Sequence, residues 1–269
     1  MRPFDLDLAG RAAARLGAAM LLCCLLPAIP LLAGTAEEGV LEAARSWRQA
    51  HGAEILSQFT EFLALPNVAR EAEDIRRNAE YLRRQLERRG AKVELWTLPG
   101  APPLVFAELS APGARRTLGI YAHYDGQPVD ERRWRHPPWQ PTLYTGAMEE
   151  GGQPRSLPLP GEPIDPEWRI YARSAGDDKV PLGALFAALD ALQAAGAPLT
   201  SNLKLMFEGE EEAGSDHLGT YIEEHREQLQ ADLWLICDGP VHQSRRPQLV
   251  FGVRGYTGID LTVYGAGRY

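Results

Sequence analysis

Cysteine is scarce in this chain. Three occur in 269 residues, and so low a count excludes a disulfide-stapled scaffold. Two of them, Cys23 and Cys24, are neighbours near the N-terminus, which leaves Cys237 alone in the rest. Basic charge is also in deficit: 28 Lys and Arg stand against 36 Asp and Glu, a net charge of −8. Phosphate binding needs a basic face, so no nucleic-acid partner is expected. Internal repeats and low-complexity tracts are missing. Aromatic residues (8%), charged residues (24%) and apolar residues (45%) take ordinary shares. That mixture excludes disordered, collagenous and coiled-coil chains. The length suffices for one large domain or two small ones around a real core.

The N-terminus has the order of an export signal. Arg2, Arg11 and Arg15 precede an uncharged stretch from Leu16 to Ala36. Pro27 and Pro30 break its apolar body, and small residues from Ala33 to Ala36 come before Glu37. This order predicts a signal peptide over residues 1–36 and a secreted or periplasmic protein. The alternative is an uncleaved membrane anchor, long enough to span a bilayer but poorly served by two prolines. Cleavage after Ala36 would remove Cys23 and Cys24, so Cys237 could form no intrachain bridge even in an oxidising compartment.

Residues 37–62 read as one helix. Ile75, Ala79, Leu82 and Leu86 recur at helical spacing with Arg and Glu on the other face, and Gly90 closes that helix. Apolar runs at 93–97, 104–109, 118–123, 203–207 and 233–237 read as strands, and 181–195 and 215–230 as helices. The Pro- and Gly-rich run 137–166 reads as a long surface loop. The alternation predicts an α/β fold, a mixed and mostly parallel sheet flanked by helices. Two more strands are expected at 248–253 and 257–263, after which no capping segment follows and the chain reads as cut.

Four clusters could carry chemistry. His123 and Asp125, two apart at a strand end, point the same way, so that one binds a metal while the other fixes the imidazole tautomer. Asp177 and Asp178 precede Lys179 at the start of a helix, and two adjacent carboxylates are costly to hold without a cation. Glu208, Glu210, Glu211 and Glu212 crowd the end of another strand, and Asp238 ends a third. Loops at the carboxyl ends of strands gather ligands in such sheets. One His among carboxylates suits zinc, with manganese or cobalt tolerated, and a spare carboxylate beside the metal is a candidate general base. Each cluster also has a bland alternative, a solvated strand end or helix N-terminus.

The order His-x-Asp, Asp-Asp-Lys, Glu-Glu-x-Gly-Ser and Asp-Gly resembles the dizinc exopeptidase family of carnosine dipeptidases, aminoacylase and acetylornithine deacetylase. The segments from His123 to Asp130 and from Trp134 to Pro141 are most similar to its carnosinase-like dipeptidase branch, and Phe62 to Val68 to its N-terminal helix end. The resemblance implies a catalytic domain over 37–253 and the start of a lid or dimerisation domain over 254–269. It implies two zinc ions per full active site. His123, Asp177 and Asp238 would hold the first, with Asp177 bridging to a second held by Glu212. Asp125 would orient His123, and Glu211 would be the general base. The implied reaction is hydrolysis of an amide bond in a dipeptide or small peptide. An N-acyl amino acid amidohydrolase and a non-catalytic binding protein or inactive fragment on the same fold are the alternatives. A homodimer is implied only through the lid. There are departures: Val180 stands where the family has Gly, an insertion occupies 148–164, and the late His of the second metal is missing. His217, His225 and His242 match no family ligand and are expected on the surface. The chain by itself is therefore expected to hold one zinc better than two.

Overall fold

A computed structural model of the chain describes residues 32–239, 241–242, 244–246, 248–252, 255 and 257–265. Nearly all of the expected signal segment lies outside the described residues. Among the described residues, no helix is long and apolar enough to cross a membrane.

The helices are α1 (Leu32–Ala50), α2 (Gly52–Leu63), α3 (Ala72–Arg88), α4 (Lys179–Ala194) and α5 (Leu218–Glu224). The main sheet uses β1 (Lys92–Trp96), β2 (Leu104–Leu109), β3 (Thr117–His123), β7 (Asn202–Glu208) and β8 (Leu233–Ile236), in the order β1-β2-β7-β3-β8. β2 is antiparallel to both β1 and β7, whereas β3 is parallel to both β7 and β8. Four of the five strands therefore run the same way, as the mixed, mostly parallel α/β reading requires.

Strand alternation sorts the apolar residues onto two faces. Val105, Ala107, Leu203, Leu205, Phe207 and Ala122 turn to one face, where α3 and α4 cover them with Ile75, Leu82, Leu86, Leu182 and Phe186. Leu104, Phe106, Tyr121 and Met206 turn to the other, under Trp96 and Tyr221 of α5. The helical spacing read at 75–86 thus marks the buried face of α3.

Several boundaries differ from expectation, each for a local reason. The helix expected over 37–62 is broken at His51, whose φ of −108° and ψ of 18° leave the helical region. The break lets Gly52 meet Ile164, whose side chain stands 2.5 Å from where a Cβ would lie. The run expected as a loop at 137–166 instead contributes to a small antiparallel sheet of β4 (Thr142–Tyr144), β5 (Pro154–Arg155) and β6 (Arg169–Tyr171). It is held by Tyr144 edge-on to Tyr171 and by the Arg155 guanidinium 3.5 Å from the Trp168 ring centre. The helix expected over 215–230 shrinks to α5, because Ser215 takes a left-handed φ of 55° and Glu210 captures the His217 amide. The strands expected at 248–253 and 257–263 do not form among the described residues. Phe251, Ile259 and Leu261 are all exposed there, and β-propensity without a neighbouring ladder yields no strand.

Leu82 is fully buried between α3 and the sheet. Leu82→Ala is expected to cost about 2–5 kcal/mol, whereas Leu159→Ala, on an exposed side chain, should stay within about 0.5 kcal/mol. Urea unfolding followed by circular dichroism distinguishes the two; equal costs would contradict this placement of the core.

Candidate metal centre

Because β7, β3 and β8 are parallel neighbours, the chain leaves all three at one edge of the sheet. β3 delivers His123, directly opposite Glu208 in the register with β7. Three residues beyond Glu208 stands Glu211, in a single 3-10 turn over Glu211–Ala213. Past β8, the Cys237 amide still donates to the Tyr121 carbonyl at 2.8 Å, which fixes the start of Asp238. Asp177 and Asp178 reach the same edge by another route. They follow β6 of the small sheet and open α4, so three of the four clusters end strands of the main sheet and the fourth starts a helix.

His123 is fully buried at the centre. Its Nε2 lies 2.9 Å from Asp177 Oδ1, 3.9 Å from Glu211 Oε2 and 4.0 Å from Asp238 Oδ2. Ligand atoms of His123, Glu211 and Asp238 all fall within 4.8 Å of one another. Two ligands of a tetrahedral ion with bonds near 2.1 Å stand about 3.4 Å apart. One imidazole and several carboxylates at such spacings fit a divalent cation. The fit is strengthened by the mutual repulsion these carboxylates suffer without one.

Asp125 ties the centre together from beneath. It is fully buried. Its Oδ1 stands 3.2 Å from His123 Nδ1 and accepts from the Glu211 amide at 3.1 Å, while Oδ2 accepts from the Glu212 amide at 3.0 Å. One carboxylate thus fixes both the ring and the turn that carries Glu211. The adjacent aspartates divide in direction. Asp178 is buried and accepts from the His123 backbone amide at 3.1 Å, whereas the Asp177 side chain is largely exposed and turned to Nε2.

The run of glutamates also separates. Glu208 is buried and accepts from the Tyr121 hydroxyl. Glu210 is buried against His217, accepting its amide at 2.6 Å and contacting its ring. Glu211 faces His123, and Glu212 accepts from Gln127 Nε2 at 2.7 Å. Glu212 and Asp177 therefore stand outside the three-residue cluster. His217 and His225 are not simple surface residues. The first clamps Glu210, and the second stacks on Trp96 with ring centres 3.6 Å apart. His242 is exposed and pairs with Ser244.

Lys179 had no reading of its own in the sequence. It is fully buried, and its Nζ donates to the Phe62 and Leu65 carbonyls at 2.9 Å each. Burial pushes its pKa well below that of an ordinary lysine. The only sequence signal was a Lys joined to an aspartate pair at a helix start.

Charge at the centre is strongly coupled. Burial pushes the His123 imidazolium down, but Asp125, Asp178 and Asp177 outweigh it and leave its pKa at about 10. Burial raises Asp178 to about 7, against the opposing His123 amide and ring. Burial also raises Glu211. Both His123 and Asp178 therefore hold a proton more tightly folded than unfolded. The stabilisation from Asp178 is complete below its ordinary 3.8 and lost as pH rises through 7. That from His123 is complete below 6.5 and lost through 10. In chelator, the melting temperature is expected to fall as pH rises from 6 to 9 on these two groups, and a saturating divalent metal should reverse the trend, because the ligands must be deprotonated to bind it. A chelated chain whose melting temperature rises over that interval would contradict the coupling.

Residues 119–266 match the family model described as peptidase family M20/M25/M40. The chain is 28% identical over 166 residues to the Cys-Gly metallodipeptidase dug1 of Schizosaccharomyces pombe, covering 61% of this chain and 31% of that one. It is 30% identical over 156 residues to the Beta-Ala-His dipeptidase of Homo sapiens, covering 57% and 27%. The chain thus spans about a third or less of the length of these curated relatives. Among solved structures, an M20 family metallo-carboxypeptidase of Sulfolobus solfataricus matches with a TM-score of 0.58 and 34% identity, over 72% of this chain and 39% of that one. Human carnosine dipeptidase 1 matches with a TM-score of 0.59 and 25% identity, over 74% and 41%. The family match begins inside β3, takes in every candidate ligand from His123 to Asp238, and covers more than half the chain, which belongs to peptidase family M20/M25/M40.

Proposed function

We propose that this chain supplies the metal-holding catalytic part of an exported, zinc-dependent dipeptidase. The observation that carries the reading is the convergence of Asp177, Glu211 and Asp238 on one buried imidazole nitrogen. The relatives named as Cys-Gly and Beta-Ala-His dipeptidases support a dipeptide as substrate. The basic, then apolar, then small order of residues 1–36 supports export.

In this reading His123, Asp177 and Asp238 would hold zinc, and Glu212 and Asp177 are the groups this chain would offer to a second, weaker site. Bound zinc supplies Lewis-acid polarisation of the scissile carbonyl and lowers the pKa of water. The rest falls to the chain's own groups. Asp125 keeps His123 Nδ1 engaged, so that Nε2 stays turned to the centre. Glu211 takes a proton from the attacking water and returns it to the leaving amine. Its raised pKa suits a group that must both accept and release that proton. The two backbone amides held by Asp125 fix the turn on which Glu211 acts.

The test is hydrolysis by the zinc-loaded full protein, on Cys-Gly, β-Ala-His and a set of N-acyl amino acids. Dipeptides should be cleaved, and chelation should stop the reaction. Glu211→Gln should lower the rate by about 10²–10⁴ with zinc content unchanged, whereas Asp177→Ala should release the metal. Zinc loss in Glu211→Gln in step with activity would overturn the base assignment. Turnover of N-acyl amino acids alone would replace the dipeptidase by an amidohydrolase.

A further inference from the structure

Three segments of chain that no strand ladder joins meet beside the candidate centre. The residue at their junction is Asn67, which is fully buried. Its Nδ2 donates to the Tyr124 carbonyl at 2.7 Å and to Ser174 Oγ at 3.0 Å. Its own carbonyl accepts from the Gly126 amide at 2.8 Å, and Val68 forms an isolated parallel bridge with Gly126. Asn67 thus grips the backbone on both sides of Asp125, immediately after His123.

Its other partner leads to the second arm of the site. Ser174 is buried, takes a left-handed φ of 59°, and accepts the Lys179 amide on its carbonyl at 3.1 Å. The loop it opens carries Asp177 and Asp178. A non-glycine residue held at positive φ costs of order 1–3 kcal/mol and persists only where its surroundings over-determine it. Here the Ser174 hydroxyl is fixed by the Asn67 amide. The junction is also tight: a Cβ on Gly126 would lie 2.3 Å from Ser174 Oγ and 3.1 Å from Asn67 Oδ1. Only glycine lets the three segments close to this distance.

His123 and Asp177 come from a sheet edge and a helix start that no strand pairing joins. Yet their ligand atoms stand 2.9 Å apart. We propose that Asn67 is a positioning residue that sets this spacing, clamping the segment after His123 to the segment before Asp177 through one side-chain amide. It touches neither substrate nor metal and acts through the Tyr124 carbonyl and the Ser174 hydroxyl. The clamp rests on the reading that His123 and Asp177 share a metal ion.

The test reads metal binding rather than turnover. Asn67→Asp keeps size and shape but replaces the donating NH₂ by an acceptor facing the Tyr124 carbonyl. Ser174→Ala removes a single hydroxyl, so it is the variant that folds if Asn67→Asp does not. Co²⁺ and Zn²⁺ are titrated into the full chain and both variants, with the visible Co²⁺ spectrum and the metal-free melting temperature recorded. Loss of an interaction that orients ligands lowers metal affinity by about 10–100-fold. The clamp predicts a loss of about tenfold or more in both variants, with an altered Co²⁺ spectrum, and a loss that exceeds any change in metal-free stability. Wild-type affinity and an unchanged Co²⁺ spectrum in Ser174→Ala, or a loss no larger than its drop in metal-free stability, would overturn the clamp and leave the metal reading intact. A wild-type chain that binds neither ion would overturn both.

Discussion

Parallel pairing of β3 with β7 on one side and β8 on the other forces three stretches of chain to leave the sheet at the same edge. The chemistry depends on this constraint. No local property of His123, Glu211 or Asp238 brings them together; they lie far apart in sequence and share only the ends of adjacent strands. The ladder supplies proximity in one dimension. Asp125 supplies the rest, because its two oxygens reach both the imidazole and the amides of the neighbouring turn. A carboxylate in that place is costly to bury alone, and its partners offset the cost.

The acidic crowd around His123 follows from the same geometry. A strand edge that collects carboxylates from several loops concentrates negative potential on whatever sits at its centre. In the metal-free chain the imidazole answers by holding its proton to about pH 10. A divalent ion answers the same field more completely, which is why donor spacing and electrostatics point to one conclusion. The glutamates not aimed at the centre are engaged elsewhere, Glu210 by His217 and one oxygen of Glu208 by Tyr121. The run therefore avoids placing four like charges at one point.

Much of this was legible in the residues. The continuous apolar run of β2, buried on both faces, and the spacing of Ile75, Ala79, Leu82 and Leu86 mark elements that bury what those patterns say. The motif order resembles one family, and the site residues fall at three strand ends and one helix start. What was not legible depends on contacts between distant segments. The small sheet is built from strands of two or three residues, too short for alternation to register. The break at His51 seats Gly52 against Ile164, over a hundred positions away. Asn67 gave no signal of its own beyond its place in a resembling segment, since an Asn after a Pro reads as a turn. The runs near 250 and 260 show the converse. Their composition favours strand, but pairing is a property of two segments and not of one.

The central claim is that three strand ends and one helix start surround a divalent ion at His123. Crystals of the chain grown with zinc, measured on both sides of the zinc absorption edge, test it most directly. The account predicts an anomalous peak within bonding distance of His123 Nε2, Asp177 and Asp238, with Asp125 still joined to His123 Nδ1. A peak placed elsewhere, or none at this edge of the sheet while zinc binds in solution, would contradict it.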